Sequence, residues 1–299
     1  MCRVSTRREP DSADPVVVGV DDGLLRMRVL DRAVAEARHR GAPVYLIHAH
    51  GPRTPVGPWQ DDAGRRSEAY LARAASDLDV RLVCRAGNTT DSLVGACGPG
   101  SLLILGDRHR RLASEAGRTT ERAIAEAPCA VLVIPEYRGP TPHGAVKRRA
   151  VVVGVDDGPA AGAVLAFALR QAAHLGVPLE AVRVVPPAEG AEVAGGPDAD
   201  LVAARQKLDA TLAGARRHAP TVPVNTEVVV DRPARALLAR AAGADQLVVG
   251  HRRHPATTLR GAGSTARSVL MGAPCAVAVL GPRSLGGVLL SDTAAEGAR

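Results

Sequence analysis

The octapeptide VVVGVDDG occurs twice, at residues 16–23 and again at 151–158. Eight identities in one register are hard to reach by chance, and the register persists. His39-Arg40-Gly41-Ala42-Pro43 aligns with His174-Leu175-Gly176-Val177-Pro178 at the same offset. Near the end of each copy, APCAVLVI at 127–134 matches APCAVAVL at 273–280, at a larger offset, so the second copy carries insertions. A repeat this long is a duplicated domain and not a solenoid unit. The expected domains are 15–135 and 150–282, and a length of 299 residues suits two domains of ordinary size. The segment between them, EYRGPTPHGAVKRR at 136–149, is rich in Pro, Gly and charge and reads as a linker. Residues 1–14 and 283–299 read as a disordered lead-in and tail.

Within each copy, apolar runs alternate with helical periodicity. Val16–Val20 and Val151–Val155 read as buried strands. A helix follows each: Leu30, Ala33, Val34 and Ala37 recur at helical spacing in the first copy, and Val164, Leu165, Ala168, Leu169 and Ala172 in the second. Gly41 and Gly176 stand where a helix C-cap is expected, each with Pro two residues later. Second strands are expected at Val44–Ala49 and Leu179–Val184, and second helices at 65–77 and 199–218. Third strands fall near 80–85 and 224–230, with short helices at 90–97 and 234–242. Fourth strands fall at Leu102–Leu105 and Gln246–Val249, and last strands at Val131–Ile134 and Val277–Leu280. Alternation of this kind predicts an α/β fold with a doubly wound parallel sheet in each copy. Hydrophobic residues make up 46% of the chain but aromatics only 2%, so both cores must be packed from Ala, Val and Leu.

In doubly wound sheets, ligands bind at the carboxyl ends of the strands, where strand order reverses. Two segments of each copy reach that place. Asp21-Asp22-Gly23 and Asp156-Asp157-Gly158 follow the first strands. Carboxylates there can contact a ribose or base, or hold a metal; Asp-Gly is equally ordinary turn chemistry. The second segment follows strand four. Between Gly250 and Arg267 lie Arg252, Arg253, Arg260, His251 and His254 with no acidic residue. This stretch closes on Gly261-Ala262-Gly263-Ser264-Thr265, leading into a helix. Glycines admit phosphate oxygens to backbone N–H groups, and a helix N-terminus favours the anion. Ser264 also suits a plain N-cap.

On these residues the chain resembles the universal stress protein family, over nearly all of both copies. The resemblance implies an adenine-nucleotide alpha hydrolase-like fold: two five-stranded sheets of order 3-2-1-4-5. ATP-binding members carry an Asp after strand one and G-x2-G-x9-G-[ST] after strand four. Asp156, Gly250, Gly263 and Ser264 match at the proper spacing, whereas Arg253 replaces the middle glycine. By the same resemblance the backbone at Val184 would face adenine. The first copy is more eroded. Asp21, Ala49 and Gly106 match, but His109 takes the middle position and Gly117 comes two residues early, followed by Arg118 and Thr119. The resemblance therefore implies ATP, with Mg or Mn, preferentially in the second copy. It implies a regulatory module of a stress response that is not an enzyme, hydrolysing slowly at most. Family members pair through the last strand, which implies an intramolecular pseudo-dimer of the two domains and leaves room for a homodimer. A nucleotide-free interaction protein on the same scaffold is the alternative.

Other classes find little support. The chain has two lysines, Lys147 and Lys207, and neither lies in a glycine-rich loop, so there is no Walker P-loop. The dinucleotide fingerprint is missing after strand one. A response-regulator receiver would also place an acidic pair after strand one. Asp231 could serve as its acceptor, but the lysine after strand five is absent from both copies. No serine has a nucleophile-elbow context. His48-x-His50 and His251-x-x-His254 lack a third ligand. The net charge of +7 is spread thinly, without a nucleic-acid-binding motif. Five cysteines, odd in number and without C-x-x-C, fit a reducing cytosol. No apolar run reaches membrane-span length and no signal peptide opens the chain, so a cytoplasmic protein is expected.

Overall fold

The computed structural model describes residues 14–19, 26–50, 62–106, 115–135, 149–187, 196–251 and 264–285. Among the described residues the chain forms two compact units, one of residues 14–135 together with 281–285 and the other of residues 149–280.

In the first unit the order is β1 (Val16–Gly19), α1 (Arg26–Arg40), β2 (Val44–His50), α2 (Asp62–Ala74) and β3 (Val80–Ala86). Then come α3 (Thr89–Val94), β4 (Leu102–Gly106), α4 (Glu115–Glu126) and β5 (Ala130–Ile134). β1 pairs with β2 on one side and β4 on the other; β3 extends the β2 side and β5 the β4 side, all parallel. The order is thus β3-β2-β1-β4-β5, as expected. The second unit repeats it with β6 (Val151–Val155), α5 (Ala161–Leu175), β7 (Leu179–Val185), α6 (Gly196–Ala215) and β8 (Val224–Val230). It ends with α7 (Pro233–Ala241), β9 (Gln246–Gly250), α8 (Ser264–Gly272) and β10 (Ala276–Leu280). Its parallel pairings give β8-β7-β6-β9-β10.

The central strands are the most apolar because both faces are covered. Val16, Val17 and Val18, like Val151, Val152 and Val153, are fully buried. α1 packs with α2 and α3 with α4; α5 packs with α6 and α7 with α8. Leu30, Ala33 and Ala37 of α1, and Leu165, Ala168, Leu169 and Ala172 of α5, turn to the sheet. Alanine on those faces lets helix and sheet approach closely.

Both first helices stop as their glycines demand. Gly41 and Gly176 adopt φ of 59° and 61°. The next residue closes each end: Ala42 N–H donates to Ala37 O and Val177 N–H to Ala172 O, both at 3.0 Å. Other boundaries differ from expectation for local reasons. α3 starts earlier because the Asn88 side chain accepts from the N–H groups of Thr90 and Asp91. α2 stops at Ala74, whose carbonyl accepts from Arg38 Nη2 at 2.7 Å. α6 passes into a 3-10 turn at Arg216–His218. Residues 282–285 form one helical turn, with Ser284 Oγ donating to Gly281 O at 2.8 Å. Asp21, Arg253, Gly263, most of the expected linker and residues 286–299 lie outside the described residues.

Candidate functional site

The second sheet opens where its order reverses. β6 stays paired with β7 as far as Val155 opposite Arg183, but with β9 only as far as Val153 opposite Val248. The two central strands therefore fork at their carboxyl ends, with Gly154 and Val155 on one arm and Val249 and Gly250 on the other. The first sheet forks in the same place: β1 pairs with β4 only to Val18 opposite Ile104.

Asp156, Asp157 and Gly158 follow the β6 arm. The Gly158 N–H donates to Asp156 Oδ1 at 2.8 Å, a tight Asx turn. A Cβ on Gly158 would stand 3.0 Å from that oxygen, so the carboxylate folds back closely over the glycine. Gly158 O then accepts from Ala161 N–H at 3.0 Å and α5 begins. The turn reading of Asp-Asp-Gly is thus correct for the backbone, while Asp156 remains exposed at the fork.

Asp157 has two cationic neighbours. Arg183 of β7 donates to its Oδ2, and Lys207 Nζ of α6 lies 3.7 Å from its Oδ1. Burial works to raise the Asp157 carboxyl, but the Arg183 hydrogen bond and both positive charges outweigh it and hold it below the ordinary range. Arg183 is itself buried, in a strand whose other residues are Leu, Glu, Ala and Val. Val184, beside it, is half-buried near the end of β7.

On the other arm Gly250 ends β9. A Cβ there would lie 3.1 Å from Val164 Cγ2, so glycine admits α5 close to the strand. His251 N–H donates to Leu280 O at 2.8 Å and ties the strand's exit to β10. α8 opens at Ser264, so this residue stands at a helix N-terminus as expected.

The first unit holds Ala49 near the end of β2, opposite Arg85, and Gly106 at the end of β4, opposite Ile134. Gly117 lies in the first turn of α4, which starts at Glu115. The interval from Gly106 to its helix is therefore several residues shorter than the interval from Gly250 to Ser264. Among the described residues of both units, no three His, Cys, Asp or Glu side chains gather to hold a metal. No helix there is long and apolar enough to cross a membrane.

The profile of the Universal stress protein family matches twice, over residues 13–135 and 147–281. The chain belongs to this family. A universal stress protein of Mycobacterium tuberculosis is 29% identical over 294 residues, covering 91% of this chain and 98% of its own. A second one from the same organism is 28% identical over 262 residues, covering 79% and 86%. Among solved structures, a universal stress protein from Archaeoglobus fulgidus superposes with a TM-score of 0.61 at 17% identity, covering 90% of this chain and 96% of that one. That likeness is one of fold. Like its relatives, this universal stress protein is a tandem of two family domains.

Of the residues singled out from sequence, the second unit brings Asp156, Val184 and Gly250 to neighbouring strand ends, with Ser264 opening the helix that follows. Sequence reasoning misses Arg183 and the ionic role of Lys207. The one available signal is a lone arginine in LEAVRVV, an otherwise apolar strand apart from its glutamate.

Proposed function

We propose that this universal stress protein is an ATP-binding regulatory module of a cytoplasmic stress response, with its working site in the second domain and hydrolysis slow at most. The observation that carries the reading is the β6/β9 fork. An exposed acceptor, Asp156, stands on one arm and a glycine, Gly250, on the other. Forks of this kind, at the switch point of a doubly wound sheet, are where nucleotides sit. The donor set fits. Asp156 suits hydroxyl or amino donors of a nucleoside, and the Val184 backbone suits an adenine edge. Gly250, Gly263 and the N-terminus of α8 at Ser264 suit phosphate oxygens. Arg253 and its neighbouring arginines would add charge-assisted contacts. A divalent ion would arrive with the phosphates.

In the first domain the shorter interval between Gly106 and α4 leaves less backbone to wrap a triphosphate. ATP is accordingly proposed to prefer the second domain. Calorimetric titration of full-length protein with Mg-ATP tests the ranking. Gly263→Asp should abolish binding by setting a carboxylate where phosphate must approach, while the matching change at Gly117 should matter little. Equal losses would refute the ranking. No binding by the parent under any metal condition would favour a nucleotide-free interaction protein.

A further inference from the structure

We propose that Arg183 is a positioning residue of this site: by pinning Asp157 it fixes the Asp156–Gly158 turn and so the direction in which Asp156 presents its carboxylate. The functional half of this rests on the nucleotide reading above; the structural half stands alone.

Three observations lead here. First, the contact is local to the fork. Arg183 is the β7 residue paired with Val155, the last residue of β6 before the turn. Its guanidinium donates to the middle residue of that turn. Asp156 is held on the same three residues by Gly158 N–H at 2.8 Å, so the direction of its carboxylate depends on where Asp157 lies. Lys207 reaches Asp157 from α6, 3.7 Å away, so the turn is held from a strand and from a helix at once.

Second, Arg183 is poorly explained as a stabiliser. The residue is buried, and its Nε has no hydrogen-bond partner among the described residues. A buried donor left unmade is costly, and burying a guanidinium against a single half-exposed carboxylate costs desolvation that a well-packed apolar side chain avoids. Ala181 and Leu179, two and four positions earlier on the same face of β7, are fully buried apolar residues. An aliphatic side chain would continue that face at less expense.

Third, the duplication supplies an internal comparison. In the register that aligns Val16 with Val151, His48 of β2 stands where Arg183 stands in β7. The guanidinium belongs to the domain whose fork keeps the long interval after strand four. A residue that is unhelpful to the core yet placed at the better-preserved site is the pattern expected when local order serves function.

The test uses the full chain and four proteins: parent, Arg183→Met, Arg183→Lys and the double variant Arg183→Met with Asp157→Asn. Mg-ATP affinity is read by calorimetry, the thermal midpoint by scanning calorimetry, and order at the Gly158 amide by 15N relaxation. Arg183→Met should weaken ATP at least tenfold while leaving the midpoint unchanged or higher. The Gly158 order parameter should drop from about 0.85, typical of rigid backbone, towards about 0.6. Arg183→Lys should recover most of the affinity, since a single donated hydrogen bond needs only a cation on a long stem. The double variant should bind as weakly as Arg183→Met, because the two residues act as one unit. Unchanged affinity in Arg183→Met, or affinity and midpoint falling together, would overturn the positioning role. If the parent binds no ATP, the nucleotide reading falls. Gly158 then decides the remainder: loss of order in Arg183→Met supports the pinning, and an unchanged order parameter overturns it.

Discussion

Single residues in this chain divide into those that titrate with the fold and those kept from titrating. Asp77 accepts from Arg38 Nε at 2.9 Å and Nη2 at 2.7 Å, and these bonds pull its carboxyl down to about 2. An aspartate in the unfolded chain titrates near ~3.9. The folded value lies lower, so the stability this contact contributes is whole above about pH 4 and is lost as pH falls towards about 2. Asp77→Asn should therefore flatten the acid limb of a stability–pH curve between those limits while leaving its slope near neutrality unchanged. A limb identical to the parent's would show the contact to be inert. Cys275 behaves oppositely: burial pushes its thiol up to about 12. It should resist a thiol reagent at pH 8 in folded protein and react once guanidinium unfolds it. Labelling in the native state would contradict the packing.

Elements obey a few local rules that the duplication lets one check twice. The left-handed glycines at the ends of α1 and α5 are a case in point. A Cβ at either position would meet nothing within 4 Å, so alanine there suffers backbone strain without a clash. Gly41→Ala and Gly176→Ala should each cost about 1 kcal/mol in urea unfolding, with no change in slope. Gly154 is the contrasting case: its Cβ would meet Leu237 Cδ1 of α7 at 2.8 Å. Gly154→Ala should cost about 1–3 kcal/mol by forcing the buried Leu237 side chain out of its packing. These rules explain what is legible in sequence. Strands, first helices and their caps are readable because Val runs, helical spacing and glycine stops are local signals. α3 and α2 differ from expectation because their ends depend on Asn88 and on Arg38, the latter reaching in from another helix. The Arg183–Asp157 contact is illegible because it joins residues that only the β6–β7 pairing brings together.

At the scale of the whole molecule, the two domains share a fold and a fork but differ in the residues around it. The second keeps Asp156, Gly250 and the long interval to Ser264, and has Arg183 against Asp157. The first has His48 in place of Arg183 and a helix that begins before Gly117. An unequal pair predicts one tightly held nucleotide per chain and not two. Full-length protein purified gently and examined by native mass spectrometry measures this directly. The mass should exceed that of the polypeptide by one adenine nucleotide, the released ligand should be ATP or its hydrolysis product, and Asp156→Ala should remove it while Asp21→Ala leaves it in place. Two nucleotides per chain, none at all, or equal sensitivity to the two alanine substitutions would contradict the account.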